Sequence, residues 1–329
     1  MADLLTKRLV VNLALDTSRD TVDEPRRWQH VLLALAQRLG TASPSGFRPA
    51  DVLDPRAVFV FWEPTVQALT VAAARRPMVY LCWGMPAARG HALTRRIKQE
   101  RLRSLLRMAR VVAVNDDVTG AEVQALSGRP PVHIPFLVDT DFFAYAPLAE
   151  RGPQVLVPGD NDRDEALVRA FAQHGVPVVR VTREPRVVDY HRERGSIAGL
   201  DVRTNVPFHE LRTLYQTARA VLLPIRTSNH AAGQTSLLEA IAAGAPILIS
   251  EGRVAGIGAS YPLQYICADS ALQTWMAALS GIPDRVSEEA ARESALRVAR
   301  EHHPDVVVSA LLSLLQQRSG AAGLRDQIA

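Results

Sequence analysis

The sequence predicts an α/β protein made of two doubly wound parallel sheets. Three observations carry that expectation. Strand-length apolar runs rich in valine, isoleucine and leucine alternate with amphipathic helical patterns along the chain. The alternation falls into two series on either side of a turn-rich join, which places one domain at 1–150 and a second at 151–329. The length of 329 residues suits two domains of ordinary size.

In the first series the strand runs are Leu9–Leu15, Val58–Trp62, Met78–Trp83 and Val111–Val114, separated by helical patterns at Arg27–Leu39, Val66–Ala74 and Leu93–Met108. In the second the runs are Gln154–Val157, Val176–Val181, Ala220–Pro224, Ile247–Ser250 and Tyr265–Cys267. Helical patterns lie between them at Arg163–Gln173, Pro207–Thr217, Thr235–Ala243 and Leu272–Ala278. A long helical pattern, Glu288–Gln317, is broken around Pro304 and ends the series. Leu9–Leu15 stops at Asp16, too short for a membrane span and with no cleavage site after it, so it reads as the first core strand.

Apolar content of 47% is that of a globular protein. Two cysteines, Cys82 and Cys267, stand far apart in no metal-ligand pattern, which points to a reduced, cytoplasmic protein. The net charge of +4 lies wholly in the first half, where 19 Lys+Arg face 15 Asp+Glu; residues 151–329 balance at 19 and 19. Arg75–Arg110 concentrates the excess, with ten basic residues against the single acid Glu100.

The segment Ala232–Ser250, AGQTSLLEAIAAGAPILIS, carries the most chemistry. It follows the strand Val221–Ile225 and the loop Arg226–Ala232, at the carboxyl end of a strand, where doubly wound sheets bind ligands. The first N–H groups of a helix have no intrahelical acceptor and carry partial positive charge, which suits a phosphate. Gly233 lets the backbone approach closely, and Gln234, Thr235 and Ser236 add side-chain donors. At 100° per residue Leu237, Leu238, Ile241 and Ala242 share an apolar stripe, while Thr235, Glu239 and Ala243 share the opposite face. A carboxylate one turn below a phosphate site can accept two hydrogen bonds from a ribose diol; it can equally be a plain surface carboxylate.

This segment resembles the donor site of retaining GT-B glycosyltransferases of the family-four type, with Ala218 to Pro224, then Gly233, Glu239, Ala240, Gly244, Pro246 and Ser250 at the pattern positions. IPFLVDTDFF resembles the family's interdomain join at Ile134, Pro135, Val138, Asp139, Thr140 and Phe143, and ARVVAVNDDVTGAEV resembles the strand before it. The resemblance covers most of residues 109–280; the first hundred residues share only the β/α rhythm. It implies a GT-B fold, two Rossmann-like domains facing a cleft, with the acceptor on the first domain, the nucleotide-sugar on the second and the terminal helix returning to the first. It implies a metal-independent, retaining hexosyl- or pentosyltransferase needing no cofactor beyond its nucleotide-sugar donor. The implied roles are Gly233, Gln234, Thr235 and Ser236 for diphosphate and Glu239 for ribose.

The chain also departs from that pattern. A second glutamate, eight residues before the first, is replaced by Ala231, which leaves Asn229, His230 or backbone groups to face the sugar. The G-R-x-x-x-x-K diphosphate clamp is missing, since Gly159 is followed by Asp160; Arg163 or Arg226 could supply the lost charge through paired hydrogen bonds. A histidine after the third strand is replaced by Trp83. These gaps keep open a catalytically silent GT-B partner subunit.

Two D-x-D triplets, Asp139–Asp141 and Asp160–Asp162, read as turns rather than a metal site. Glu63, Trp83 and His91 fall at or after strand ends of the first domain, where an acceptor would sit; Trp83 as core and His91 as plain loop are the structural alternatives. HALTRRIKQERLRSLLRMAR is a basic amphipathic helix with Leu93, Ile97, Leu102, Leu105, Leu106 and Ala109 as its core stripe. Arg95, Arg96, Arg103 and Arg107 lie off that stripe, as a solvated face or a contact for an anionic surface. The surface could be lipid at a membrane periphery or a nucleic-acid acceptor carrying a modified base.

Overall fold

The computed structural model describes residues 7–11, 24–40, 44–62, 64–83, 92–160, 162–226, 232–258 and 260–323. They form two compact units: Arg8–Val11, Arg26–Leu137 and the chain from Pro304 belong to the first, and Val138–His303 to the second. The crossing therefore falls at Leu137/Val138 rather than at 150/151, because Phe142, Phe143 and Ala146 are buried within the second unit.

The first unit runs β1 (Arg8–Val11), α1 (Trp28–Arg38), β2 (Ser45–Gly46), β3 (Ala57–Phe61), α2 (Val66–Ala73), β4 (Met78–Leu81), α3 (Ala92–Met108), β5 (Val111–Val114), α4 (Asp117–Ser127) and β6 (Val132–His133). Its strands pair in parallel in the order β2-β1-β3-β4-β5-β6. Successive side chains on a strand point to opposite faces, so β1 divides its residues between two cores. Leu9 and Val11 pack with Leu32 and Leu35 of α1 and with Val307 and Leu311 near the chain end, while Val10 joins Phe59, Val71 and Leu105 on the other face. Helices on both faces are what an all-parallel sheet requires.

The second unit contains β7 (Val155–Pro158), α5 (Glu165–Gln173), β8 (Val178–Thr182), α6 (Pro185–Glu193), β9 (Leu200–Thr204), α7 (Phe208–Thr217), β10 (Ala220–Leu223), α8 (Gln234–Ala242) and β11 (Ile247–Ser250). It continues through α9 (Arg253–Gly258), β12 (Gln264–Cys267), α10 (Leu272–Ser280), α11 (Ile282–Arg285) and α12 (Glu288–His302); α13 (Pro304–Gly323) packs with α1 in the first unit. The sheet order is β12-β11-β10-β7-β8-β9, again all parallel. The chain winds outward from β7 to β9, returns to place β10 beside β7, and winds the other way. β7 and β10 therefore flank the topological switch point, where crossover loops diverge and leave room for a ligand.

Several elements depart from the sequence pattern, among them α4, which the first series did not mark, and β9, α6 and α3. β9 is an edge strand with no fully buried residue, so it lacks an apolar run, and α6 is mostly polar. Within α3, Leu102, Leu105 and Leu106 are buried but Ile97 is 45% exposed. At 100° per residue Ile97 lies roughly 130° from the centre of those leucines, so it cannot share their stripe. It lines a groove of about 460 Å³ with Leu69, Arg96, Glu100, Arg101 and Ser104. Among the described residues no helix is long and apolar enough to cross a membrane.

Candidate functional site

The loops after β7 and β10 are fastened together at the switch point. Arg163 and Ile225 form an antiparallel bridge, the Asp164 amide donates to Pro224 O (2.7 Å), and the Arg226 amide donates to Asp162 O (2.8 Å). Asp164 also caps α5, its Oδ1 accepting from the Ala166 and Leu167 amides. The bridge turns the Arg163 side chain inward, where it is 5% exposed and donates from Nε to Pro158 O (3.0 Å).

Two glycines make the space that the Arg163 guanidinium fills. Gly159 follows β7 with φ +100°, and a Cβ there would fall 2.6 Å from Arg163 Nη2 and 3.5 Å from Ser236 Oγ. Gly233 is the N-cap of α8 with φ +92°; a Cβ on it would meet Ile225 Cδ1 at 2.8 Å and both Arg163 Nη atoms at 3.4 Å. The positive φ at both positions suits glycine for backbone reasons as well. A guanidinium thus lies beside the N-terminus of α8, the arrangement that favours an anion. Burial, with the charge of Arg180 nearby, brings the Arg163 guanidinium down to about 10, so it remains charged at neutral pH.

Arg226, the other candidate for that charge, is 61% exposed and faces Asp164 Oδ1 at 3.5 Å. His230, Asn229 and Ala231 lie outside the described residues. On α8 only Thr235 of the three expected side-chain donors is exposed. Gln234 and Ser236 are buried, so neither side chain is an open phosphate donor. Leu237, Leu238, Ile241 and Ala242 are buried as one stripe. Ala243 is buried as well rather than lying on an open face with Glu239, and its carbonyl binds Arg151. Glu239 is half-buried and accepts a hydrogen bond from the Tyr215 hydroxyl at 2.8 Å.

A buried ionic group underlies the loop after β7. Arg180, fully buried on β8, donates from Nε to both Glu165 carboxylate oxygens (3.2 and 3.0 Å) and from Nη2 to Oε1 (2.7 Å). Its Nη1 reaches Val157 O (3.2 Å) and Gly159 O (2.6 Å), and His191 Nε2 lies 3.0 Å from Glu165 Oε2. Burial acts to raise the Glu165 carboxyl, but hydrogen bonds from His191 and Arg180 outweigh it and hold the group below its usual value. Pattern alone did not mark Arg180, Glu165 or Tyr215. A charged residue interrupting the apolar run of β8 is the one signal that could have pointed to Arg180.

The remaining candidates are placed as follows. Asp160 accepts from Thr182 Oγ1 (3.0 Å), the Arg183 amide (2.5 Å) and Arg183 Nε (3.2 Å), so it anchors a turn. Asp141 faces His303 Nε2 at 3.2 Å. Among the described residues no three His, Cys, Asp or Glu side chains group as a metal site. Trp83 packs between Trp28 (4.9 Å between ring centroids) and Phe136 (6.1 Å) at the margin of the first core, the structural alternative for that residue. Glu63 and His91 lie outside the described residues. Arg96, Arg101 and Arg107 on α3 are exposed, Arg103 pairs with Glu100 at 2.8 Å, and the Arg95 side chain lies outside the described set.

No family model and no curated protein sequence matches the chain. Solved structures do. The sucrose-phosphate synthase of Thermosynechococcus elongatus superposes with a TM-score of 0.67 at 15% identity, over 80% of this chain and 74% of that one. HepE of Anabaena, solved in complex with UDP, gives 0.64 at 12% identity over 94% and 100%. WaaG, a glycosyltransferase involved in lipopolysaccharide biosynthesis, gives 0.60 at 16% identity over 78% and 77%. With its two parallel six-stranded sheets and their flanking helices, the chain has the GT-B fold of these glycosyltransferases.

Proposed function

We propose that the protein transfers a sugar from a nucleotide-sugar donor to an acceptor hydroxyl. The observation that carries this reading is the buried Arg163 guanidinium between Gly159 and Gly233, beside the N-terminus of α8 at the switch point of the second sheet. A diphosphate there would meet the orphan amides of α8 and a fixed cation that needs no reorganisation as the leaving group develops charge. Glu239, one turn along, takes the ribose diol. The likeness to glycosyltransferases, one of them solved with UDP, supports the same reading.

In this scheme the protein acts by position and electrostatics. Arg163 and the helix terminus stabilise the departing nucleoside diphosphate, so the sugar develops oxocarbenium character without an enzyme carboxylate as nucleophile. The reaction is metal-independent and retains the anomeric configuration. Between the two arginines the geometry favours Arg163 over Arg226, which is exposed and already faces Asp164.

The acceptor belongs with the first unit, where Arg96, Arg101 and Arg107 of α3 are exposed together with Ile97. An acceptor presented on an anionic surface suits that face.

The test is a panel of UDP-, GDP-, ADP- and TDP-sugars scored by thermal stabilisation, followed by assay of released nucleoside diphosphate. Arg163→Met should lower affinity for the stabilising nucleotide by about 1.5–3 kcal/mol, the range for a charged hydrogen bond, and Arg226→Met by less. Stabilisation by no member of the panel, or equal affinity in Arg163→Met, would overturn the assignment. Stabilisation without turnover would instead mark a catalytically silent subunit.

A further inference from the structure

Tyr215 sits in the last turn of α7 with its ring fully buried, edge-on to Phe143 at 5.6 Å between centroids. A buried hydroxyl is costly unless it is bonded, and phenylalanine would fill the same space without that cost. This hydroxyl has a charged partner on α8: it donates to Glu239 Oε2 at 2.8 Å. Ser236 belongs to the first turn of α8, near Gly159, and Glu239 lies one turn further on.

From this geometry we infer that Tyr215 is a positioning residue for Glu239. It holds one carboxylate oxygen and so sets the direction of the other toward the ribose of the bound nucleotide. The inference rests on the donor-site reading above. Burial, and then the charge of Glu239, push the Tyr215 phenol well above its usual value, so it remains a donor throughout the neutral range.

The register of the two helices is held by a second residue. Arg151 donates from Nη1 to Tyr215 O (2.8 Å) and Ala218 O (3.2 Å) at the end of α7, and from Nη2 to Ala243 O (2.6 Å) at the end of α8. One guanidinium thus binds carbonyls that both helix ends leave without an intrahelical donor. It ties the axial position of α7 to that of α8, and the phenol meets the carboxylate as a result.

The experiment is calorimetric titration of the intact protein with UDP, GDP and ADP, then with the 2′,3′-dideoxy form of whichever binds best. The variants are Tyr215→Phe, Glu239→Ala and the double mutant. Tyr215→Phe should weaken the ribose-bearing diphosphate by about five- to twentyfold. It should leave the dideoxy ligand unchanged and add nothing in the Glu239→Ala background. If Glu239→Ala loses affinity while Tyr215→Phe binds like wild type, or if Tyr215→Phe loses equally toward the dideoxy ligand, the positioning role is overturned and the donor site stands. If wild type binds none of the three, or Glu239→Ala binds as wild type does, the donor-site reading itself fails. Should Tyr215→Phe not fold, Arg151→Lys carries the test, since it loosens the tie between α7 and α8 while leaving Tyr215 and Glu239 in place. Its expected loss is about two- to fivefold, confined to the ribose-bearing ligand, and an unchanged affinity would overturn the role.

Discussion

A β-carbon on Gly159 would stand 2.6 Å from Nη2 of Arg163, so the glycine that follows β7 and the guanidinium of the same loop occupy adjoining space with no room for a methyl group between them. Gly175 makes a useful control. It too has a positive φ, +81°, but a Cβ there would meet nothing within 4 Å. Gly175→Ala should therefore carry backbone strain alone, on the order of 1–2 kcal/mol. Gly159→Ala should carry that strain and displace Arg163 as well, lowering nucleoside diphosphate affinity while Gly175→Ala leaves it unchanged. Urea melts and calorimetry on both variants check this; equal affinities would show that Arg163 relaxes around the methyl group without losing its place.

The Glu165–Arg180 pair should make the second unit acid-sensitive. The folded carboxyl lies below its ordinary value. Its contribution is therefore fully present above the unfolded pKa and is lost as pH falls through the folded one. Wild type should lose stability below about pH 5. Glu165→Gln should be less stable at pH 7, by about 3–5 kcal/mol, because Arg180 is then buried without its counter-charge. Its stability should also fall less steeply on acidification. Parallel slopes for the two proteins between pH 7 and pH 4 would contradict the assignment.

Sugar transfer or nucleotide binding should persist in excess EDTA. The reason is that Asp160 is committed to Thr182 and Arg183 and Asp141 faces His303, while a helix terminus and Arg163 supply positive charge at the proposed diphosphate site. A loss of activity restored by a divalent cation and abolished in Asp160→Asn would return that carboxylate to the chemistry.

Reversing Arg96, Arg101 and Arg107 to glutamate should leave nucleotide affinity unchanged, since these residues and the proposed donor site belong to separate units. If the acceptor is presented on an anionic surface, co-sedimentation with phosphatidylserine-containing vesicles should be strong for wild type at low salt. It should weaken with salt and in the triple variant. Retention on DNA with no vesicle binding would indicate a nucleic-acid acceptor instead. Arg103 is left out of the variant because Glu100 already compensates it.

Periodicity and composition were enough to show most of the alternating strands and helices of both sheets, the start of α8 near Gly233 and its inward stripe of Leu237, Leu238, Ile241 and Ala242. Those features follow from local rules: a buried parallel strand is apolar along its length, and a helix repeats every 3.6 residues. β9 and α6 were hidden for the same reason, since an edge strand and a polar helix bury too little to leave a pattern. Ile97 shows the limit within a single helix, where counting apolar residues identifies a stripe only if their angles agree.

Tertiary structure alone decided which arginine lies at the proposed phosphate site and what holds Glu239. Arg163 and Arg226 look alike in sequence, and only the bridge between the loops after β7 and β10 buries the first and leaves the second exposed. Arg180 and Glu165 stand on different elements, and Tyr215 is 24 residues from the carboxylate it holds. The sequence determines which side of each helix is apolar, because that depends on residues within one or two turns. The meeting of a phenol on α7 with a carboxylate on α8 depends on how far each helix slides along the sheet, and that is set by contacts such as Arg151 with both helix ends, distant in sequence and adjacent only in the folded chain.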